Sequence, residues 1–515
     1  MATDLTIVDG YFGRRKLWSA ETAVAEGNLL SILQSVLPDH IRNAEEIDYL
    51  WKYWRGVQPI LGRTKDIRPE INNKIVENHA QEAVSFFSGY FLGEPVAYVR
   101  RGVADTAAEI DGLNSLMLSA NKAPLDKELA TWMFIGGVGY RICLPGQYDD
   151  PLDLDVLDPR DTFVVYSTDI GRRPLLAGMV RVDNKGKVSY VGYTRTHYFE
   201  VSTSAVRQTV GYTDIAATSP YAPLPNGEIV KFESHGLGRI PIIEYDANAA
   251  MMGAFEPGIG IMDAINTVAS NRVDGIEQFI QSIMVLTDAD IDEDGMKSAK
   301  NWGLVKLRSV DQKTPTLQLL SESLDQMQTQ TLVDYMKDTL KEIIGMPHSA
   351  KGMSGGTSGN VGSVIMWQGW ETCEARMKDT ELLFVKSERE FLKLALSILR
   401  NMGGPVLEEA SIDIKFVRRQ YDAIITKVQA LQGMLQAGLA PEIAISTCGL
   451  FNDPVDVANR SAEYLEKWKV TTNVVQGSAG DIGENPSSRG DRGDQAGGQG
   501  EEGNGGTNQP QGSTP

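Results

Sequence analysis

The sequence predicts an α+β chain in which helices flank a block of antiparallel sheet. Three observations carry this. Between Val138 and Tyr245 the pattern is of short β-type runs, Phe163-Val164-Val165-Tyr166, Val188-Ser189-Tyr190-Val191 and Ile240 to Tyr245. Turn chemistry separates them, most plainly at Asp183-Asn184-Lys185-Gly186. On either side apolar residues recur at the helical period, and no strand–helix–strand alternation suggests a Rossmann-type cofactor domain.

Taken in order, Ala44 to Trp54 and Asn73 to Phe91 have helical periodicity ahead of the strands. After them a long helix is expected from about Gly258 to Leu286. Ile261, Ile265, Val268, Ile276, Phe279 and Ile283 share one of its faces, and Asp263, Asn266, Asn271, Asp274 and Gln281 the other. Long helices with one polar face suggest side-by-side packing in an assembly. Trp370, Met377, Phe384, Phe391 and Ile398 then recur every seven residues until Gly403-Gly404-Pro405, which makes one long helix with a continuous packing seam. A small helical unit follows: an amphipathic run, Tyr421, Ile424, Ile425, Val428, Leu431 and Leu435, then Pro441 to Cys448 and Pro454 to Lys469, each opening on proline. From Thr471 to Pro515 the chain is Gly, Asn, Gln, Ser and Pro with almost nothing to bury, so disorder is expected.

At 515 residues the chain has room for several structural units, since domains commonly run to about 100–200 residues. Its net charge of −19 argues against a wide basic surface that grips nucleic acid; a DNA partner would be tolerated more than held. Cys143, Cys373 and Cys448 are too few and too scattered for a disulfide framework or a four-ligand zinc site, which points to a reducing compartment. No stretch reaches the ~18 apolar residues of a membrane helix. Arg14-Arg15 looks like a twin-arginine export signal, but Glu21 interrupts any apolar region after it. A protein that stays where it is made is expected.

Three local patterns could carry chemistry. Gly352-Met353-Ser354-Gly355-Gly356 matches a hydrolase elbow, with His348 the nearest histidine. Leu340 to Met346 before it end a helix rather than a strand, and the small-residue run continues through Thr357-Ser358-Gly359-Asn360-Val361-Gly362, so a flexible loop is the better reading. Asp290-Ile291-Asp292-Glu293-Asp294-Gly295 matches the first half of a calcium loop, but Asn301 stands where a bidentate glutamate belongs and Lys297 where an apolar residue does. An acidic solvated turn is the better reading there. Asp153, Asp155 and Asp158 are spaced like strand and turn. The five histidines form no H-E-x-x-H, and no phosphate-binding G-x-x-x-x-G-K-[ST] is present. These patterns support no enzyme and imply no cofactor.

Longer segments are more informative. Tyr53-Trp54-Arg55-Gly56-Val57-Gln58-Pro59-Ile60-Leu61, then Asn72-Asn73-Lys74 with Asn78, then Gly89-Tyr90-Phe91-Leu92-Gly93-Glu94-Pro95-Val96-Ala97-Tyr98, resembles the opening of tailed-bacteriophage portal proteins of the siphophage type. His235-Gly236-Leu237-Gly238-Arg239-Ile240-Pro241-Ile242-Ile243-Glu244-Tyr245 resembles that family's strand leading out of the wing, and Asp263-Ala264-Ile265-Asn266 the start of its stem helix. The likeness runs from about Ala44 to Lys469.

The resemblance implies a ring of about twelve subunits at one capsid vertex, through which double-stranded DNA is pumped in and later leaves. It implies an N-terminal segment (1–43), a wing (44–256), a stem helix (257–288), a clip (289–325), a second stem helix (326–345), a tunnel loop (346–362), a long wing helix (363–404), a crown (405–470) and a disordered tail (471–515). The tunnel loop would bring Lys351, Gly352, Ser354, Gly355, Gly356, Thr357 and Asn360 to the DNA channel. The clip, with Asp290, Asp292, Glu293, Asp294 and Lys297, would meet the terminase large subunit and later the head-tail adaptor. Scaffold and major capsid protein are further implied partners, with the host cytoplasm during assembly and then the virion as location.

Acidity suits such a conduit, because affinity for DNA grows with the phosphates that Lys and Arg neutralise, and a channel that bound many would trap its cargo. The missing phosphate-binding loop fits a division of labour in which a separate terminase supplies the ATPase. Two other classes share some of these features: an acidic, non-enzymatic adaptor or scaffold, and a serine hydrolase using Ser354.

Overall fold

The computed structural model describes residues 13–66, 68–100, 107–147, 151–206, 227–280, 283–287, 289–290, 308–309, 316–320, 326–347, 361–403, 407–416, 424–451, 457–462 and 464. In chain order the elements of the first part are β1 (Leu17–Ser19), α1 (Glu26–Trp54), α2 (His79–Phe91), β2 (Ala97–Arg100), α3 (Ala107–Ser119), α4 (Lys122–Gly136), β3 (Val138–Pro145) and β4 (Leu152–Leu157). There follow β5 (Thr162–Ser167), β6 (Pro174–Val182), β7 (Lys187–Thr194), β8 (His197–Val206), β9 (Glu228–Ser234) and β10 (Ile242–Asp246). The rest are α5 (Ile259–Ile280), β11 (Ile283–Thr287), β12 (Ala289–Asp290), β13 (Arg308–Ser309), β14 (Thr316–Leu320), α6 (Gln326–Ile344), α7 (Val361–Asn401), β15 (Ile412–Lys415), α8 (Ile424–Gln436) and α9 (Pro441–Cys448). The α+β class holds, and the sheet block sits where the β-type runs place it.

Six strands form the main sheet in the order β1-β5-β6-β7-β8-β9, antiparallel except where β1 joins β5 in parallel. Its buried face needs a helix, and α1 supplies Leu29, Ile32, Leu33, Val36 and Leu37 against Phe163, Val165, Leu176, Tyr190 and Phe199. Gly178 and Gly192 pair across β6 and β7. A Cβ on Gly192 would sit 2.6 Å from the Phe199 ring, so the glycines make room for that aromatic. Helix α1 is longer than the expected Ala44 to Trp54 and passes through Pro38. Burial of its sheet-facing stripe outweighs the cost of a proline in the helix. The expected boundary between residues 43 and 44 therefore falls inside one helix.

A second sheet, β10-β3-β4, is crossed by α7. The heptad seam packs within the chain: Met377, Phe384, Phe391 and Ile398 are all buried, and Phe384 and Phe391 fully so. Beneath them lies a charged core. Lys122 and Asp126 of α4, Arg141 of β3 and Glu388 of α7 are buried together, with Arg141 and Glu388 wholly inaccessible. Lys122 Nζ lies 2.6 Å from Asp126 and 2.8 Å from Glu388, while Arg141 bridges Asp126 and Glu388. Tyr98 and Tyr245 donate to the two oxygens of Glu388 at 2.6 and 2.8 Å. Burial alone would raise the Glu388 carboxyl, but the neighbouring Lys122 and Arg141 charges outweigh it and hold it down at about 2. Helices α3 and α4 had no expectation from the sequence.

The basic run near the start of the chain serves packing. Arg14 pairs with Glu256 at 2.5 Å and Glu46 at 3.0 Å, Arg15 with Glu46 at 2.7 Å, and Lys16 with Glu244 at 2.5 Å and Asp246 at 2.8 Å. Gly13 is at φ +92°, where a Cβ would lie 2.0 Å from the Ala250 carbonyl oxygen, so this segment lies tight against the turn before α5.

Contacts divide the chain into two units, residues 1–430 and 431–515. In the second, α9 opens on Pro441 and closes on Gly449 in the left-handed region, as the proline pattern predicts. Residues 457–462 of the expected Pro454 to Lys469 helix are helical. The tail from Thr471 lies outside the described residues.

Candidate functional site

The expected functional region begins with the polar face of α5, and its geometry starts from spacing. Side chains four apart on a helix lie on one face, about 6 Å apart along the axis. Two residues of extended chain advance by about 6.6 Å. Asn266, Ser270 and Asp274 have the first spacing, and the segment 71–78 meets them with the second. The backbone N–H of Glu77 donates to Asn266 Oδ1 at 2.8 Å, that of Ile75 to Ser270 Oγ at 3.0 Å, and that of Asn73 to Asp274 Oδ1 at 2.8 Å. The segment therefore forms a strap laid antiparallel along the helix, its donors satisfied by side chains rather than by a sheet.

Further ties close the strap at each end. Asn266 donates to Gln58 at 2.5 Å, and Gln58 donates to Asn78 at 3.2 Å. Asn78 also donates to the Trp54 carbonyl at 2.9 Å and caps α2 through the Gln81 N–H. At the other end Asp274 receives Lys65 at 2.8 Å and Arg63 at 3.2 Å, and Arg63 also reaches Asn271 at 2.5 Å. Burial pulls the Asp274 carboxyl upward, yet hydrogen bonds from Lys65 and Asn73 win and hold it below its ordinary value. Tyr53 donates to Asp263 at 2.8 Å. The polar residues Asp263, Asn266, Asn271 and Asp274, expected to share one face of a helix packed side by side in an assembly, are thus engaged within the chain. Gln281 lies outside the described residues.

Two expected helix limits change here. Asn73 to Phe91 is helical only from His79, because Asn72, Asn73 and Asn78 favour local bonding over a helix interior and find it in the strap and the cap. The helix expected from Gly258 to Leu286 ends at Ile280, and Ile283 belongs to strand β11, where β-branched residues are favoured.

From α5 the chain runs out through β11 and β12 and returns through β13 and β14 into α6. Ile283 pairs Leu320 and Thr287 pairs Thr316 in an antiparallel ribbon. Helix α6 returns antiparallel to α5: Val333, Leu340 and Ile344 are buried, and a Cβ on Gly258 would sit 2.5 Å from Leu340. Arg272 donates across to Gln330 at 2.7 Å, and Lys337 reaches Glu77 at 2.6 Å, so the strap holds both helices. Gly345, at φ +76°, ends α6, with Arg376 of α7 donating to the Ile343 carbonyl at 3.0 Å. A second stripe on α6 is left uncovered: Met327, Leu332 and Tyr335 are 81, 49 and 67 % exposed.

Of the residues expected to contact DNA, Lys351, Gly352, Ser354, Gly355, Gly356, Thr357 and Asn360 lie outside the described residues, as does His348. Val361 and Gly362, expected in the tunnel loop, are already in α7. Asp290 ends β12, paired with Arg308 in register; Asp292, Glu293, Asp294, Lys297 and Asn301 lie outside the described residues. Asp153 and Asp155 point out from β4, and Asp158 Oδ1 accepts the Arg160 N–H at 2.9 Å in the turn after it, as their spacing predicts. Among the described residues no helix is long and apolar enough to cross a membrane. Sequence reasoning missed the strap; the signal was the asparagine cluster in a segment otherwise read as helix.

A family model described as phage portal protein, SPP1 Gp6-like, matches residues 33–475. No curated protein matches the chain. Among solved structures, a chain in the neck of an empty GTA particle, computed with C6 symmetry, is 13 % identical over 72 % of this chain and 90 % of that one, with a TM-score of 0.38. A chain in the neck of a native GTA particle, computed with C12 symmetry, is 13 % identical over 72 % of this chain and 89 % of that one, also with a TM-score of 0.38.

Proposed function

The chain belongs to the phage portal protein family, SPP1 Gp6-like, and from that membership we propose that copies of it form a ring at one capsid vertex, the conduit for double-stranded DNA. A portal is a structural component of the virion rather than an enzyme. The observation that carries the proposal is the family match over residues 33–475, which takes in the whole excursion from α5 through the ribbon and back along α6. In this reading α5 and α6 are the stem, the ribbon region 289–325 is the clip that meets terminase and then the head-tail adaptor, and residues 405–470 are the crown. The uncovered stripe of Met327, Leu332 and Tyr335 supports contact between neighbouring stems, since apolar area at that density favours burial.

The strap refines the proposal. With the row of Asn266, Ser270 and Asp274 engaged by the strap, the stem surface left for neighbours and for DNA is that of α6, the outer side of the strap and the exposed part of α5 that carries Thr267, Asn271 and Ile276. Residues 345–360 join the two helices α6 and α7, and we assign to them the loop that meets DNA. Lys351 is its one charged side chain, enough to meet phosphates in passing and too little for tight binding by counterion release.

Negative-stain images and mass photometry of the purified chain test the ring. The expected result is rings with a central hole of duplex width that survive moderate salt, because apolar contact is not screened. Monomers or dimers at every concentration would overturn it. For the loop, Lys351→Ala is expected to leave rings intact and alter DNA packaging or retention; unchanged packaging by intact rings, for this variant and for one with bulky residues at Gly355 and Gly356, would remove the loop from the channel.

A further inference from the structure

Three buried polar side chains from three different elements meet at one cavity. Thr162 opens β5, His40 lies in α1 and Arg14 in the segment before β1; they are 1, 3 and 4 % exposed. Thr162 Oγ1, His40 Nε2 and Arg14 Nε each have no hydrogen-bonding partner among the described residues. All three residues line a cavity of about 10 Å³, with Asn43, Tyr140 and Glu244 also on its wall. A buried polar atom left unbonded is destabilising, so three such atoms around one space call for an occupant.

Size and charge identify its class. A space of about 10 Å³ is at the lower limit for one water and leaves no room for a larger ligand. The Arg14 charge is already met by Glu256 and Glu46, and Glu244 on the wall is bonded to Lys16, Tyr140 and Tyr166, so neither group needs an ion as its partner. Besides Arg14 Nη1, which lies 3.0 Å from Glu46 Oε2, the open valences are a donor at Arg14 Nε, an acceptor at a neutral imidazole Nε2, and a hydroxyl that can do either. We propose that this cavity binds a single water molecule, which accepts from Arg14 Nε, donates to His40 Nε2 and takes Thr162 Oγ1 as its third partner. The site requires His40 to carry its proton on Nδ1. Burial, which pushes the His40 pKa down to about 3, keeps the ring neutral as the site needs. The water then joins the N-terminal segment, α1 and the sheet through these three side chains. This inference is independent of the portal reading.

A density map of the full chain, at a resolution that resolves ordered solvent, tests it directly. One peak is expected within about 2.6–3.2 Å of both His40 Nε2 and Thr162 Oγ1. A dry cavity, or the side chains turned to bond one another, would overturn the proposal. Thr162→Val supplies a second test by sign, because it keeps the side-chain volume and removes only the hydroxyl. With a water in place the variant strips it of a partner, and the melting temperature falls. An equal or higher melting temperature would mean that the hydroxyl was unbonded, and the site would be rejected.

Discussion

Asp274 takes both the backbone N–H and the side-chain amide of Asn73 on a single oxygen, at 2.8 and 3.0 Å, while its other oxygen faces Lys65 and Arg63. Two residues 201 positions apart thus fix the register between the strap and α5. A shift of one helical turn would break every bond in the row at once, so the strap sets where the helix stands relative to the body of the chain.

Replacing that carboxylate should release the strap. Asp274→Ala leaves two cations and two N–H donors without their acceptor, at a cost of about 3 kcal/mol. Urea unfolding at fixed protein concentration measures the loss. Hydrogen exchange should quicken at Asn73, Ile75 and Glu77 and stay unchanged in β5 to β7. Because the folded carboxyl is held below its ordinary 3.8, this stability is present above that pH and lost as pH falls below it.

The charged core makes a second, opposite pair of expectations. Glu388 is at about 2 in the fold against an ordinary 4.5, so its contribution is complete above pH 4.5 and lost as pH falls toward 2. Glu388→Gln strands Lys122 and Arg141 beside one carboxylate and should cost roughly 3–5 kcal/mol at neutral pH. Glu244 is the reverse: burial and Asp246 raise its carboxyl more than Lys16 lowers it. Its ionised form is disfavoured in the fold, so its contribution is present at low pH and declines as pH rises from 4.5 through the folded value. Glu244→Gln should stay within about 1 kcal/mol of the parent at neutral pH, and equal losses for the two variants would refute this account.

Backbone geometry at the junction of α4 and β3 admits only glycine. Gly137 is at φ +84°, with a Cβ position 2.0 Å from the Met251 carbonyl oxygen. Gly137→Ala should therefore lower stability by more than about 2 kcal/mol, through left-handed strain and displacement of the Met251 turn. Gly62→Ala, with nothing within 4 Å of its Cβ position, serves as the control and should change stability by less than about 0.5 kcal/mol. Thermal unfolding followed by circular dichroism separates the two.

On the α6 stripe, the double change Leu332→Ser and Tyr335→Ser should leave helix content and melting of the subunit unchanged, since both side chains are exposed in the single chain. Mass photometry should show rings giving way to smaller species. Undiminished rings would place the contact between neighbours elsewhere.

Much of the architecture was legible along the chain because it depends on local period and on turn chemistry. The short β-type runs in β5, β7 and β10, the heptad seam of α7 and the proline that opens α9 are each a pattern within about forty residues. The order and spacing of the Tyr53 to Leu61, Asn72 to Asn78 and Gly89 to Tyr98 segments carried the family. Helix limits were less legible where a distant partner decided them. Nothing local indicates that α1 continues through Pro38, because the sheet that buries its first half is built from residues 162–201.

The sequence by itself therefore determined the α+β class, the portal family, the acidic character and the long helices with one polar face. What that face does was decided only by tertiary structure. Asn266, Ser270 and Asp274 have the same periodicity whether they meet a neighbouring subunit, solvent or a strap from their own chain. Periodicity reports which residues share a face, whereas the partner depends on which backbone N–H groups the fold leaves unsatisfied beside it, and those belong to residues about 190–200 positions away. The charged core has the same origin: Lys122, Asp126, Arg141 and Glu388 are ordinary surface residue types in sequence, and burial among Tyr98, Tyr245 and Phe391 makes each require the others.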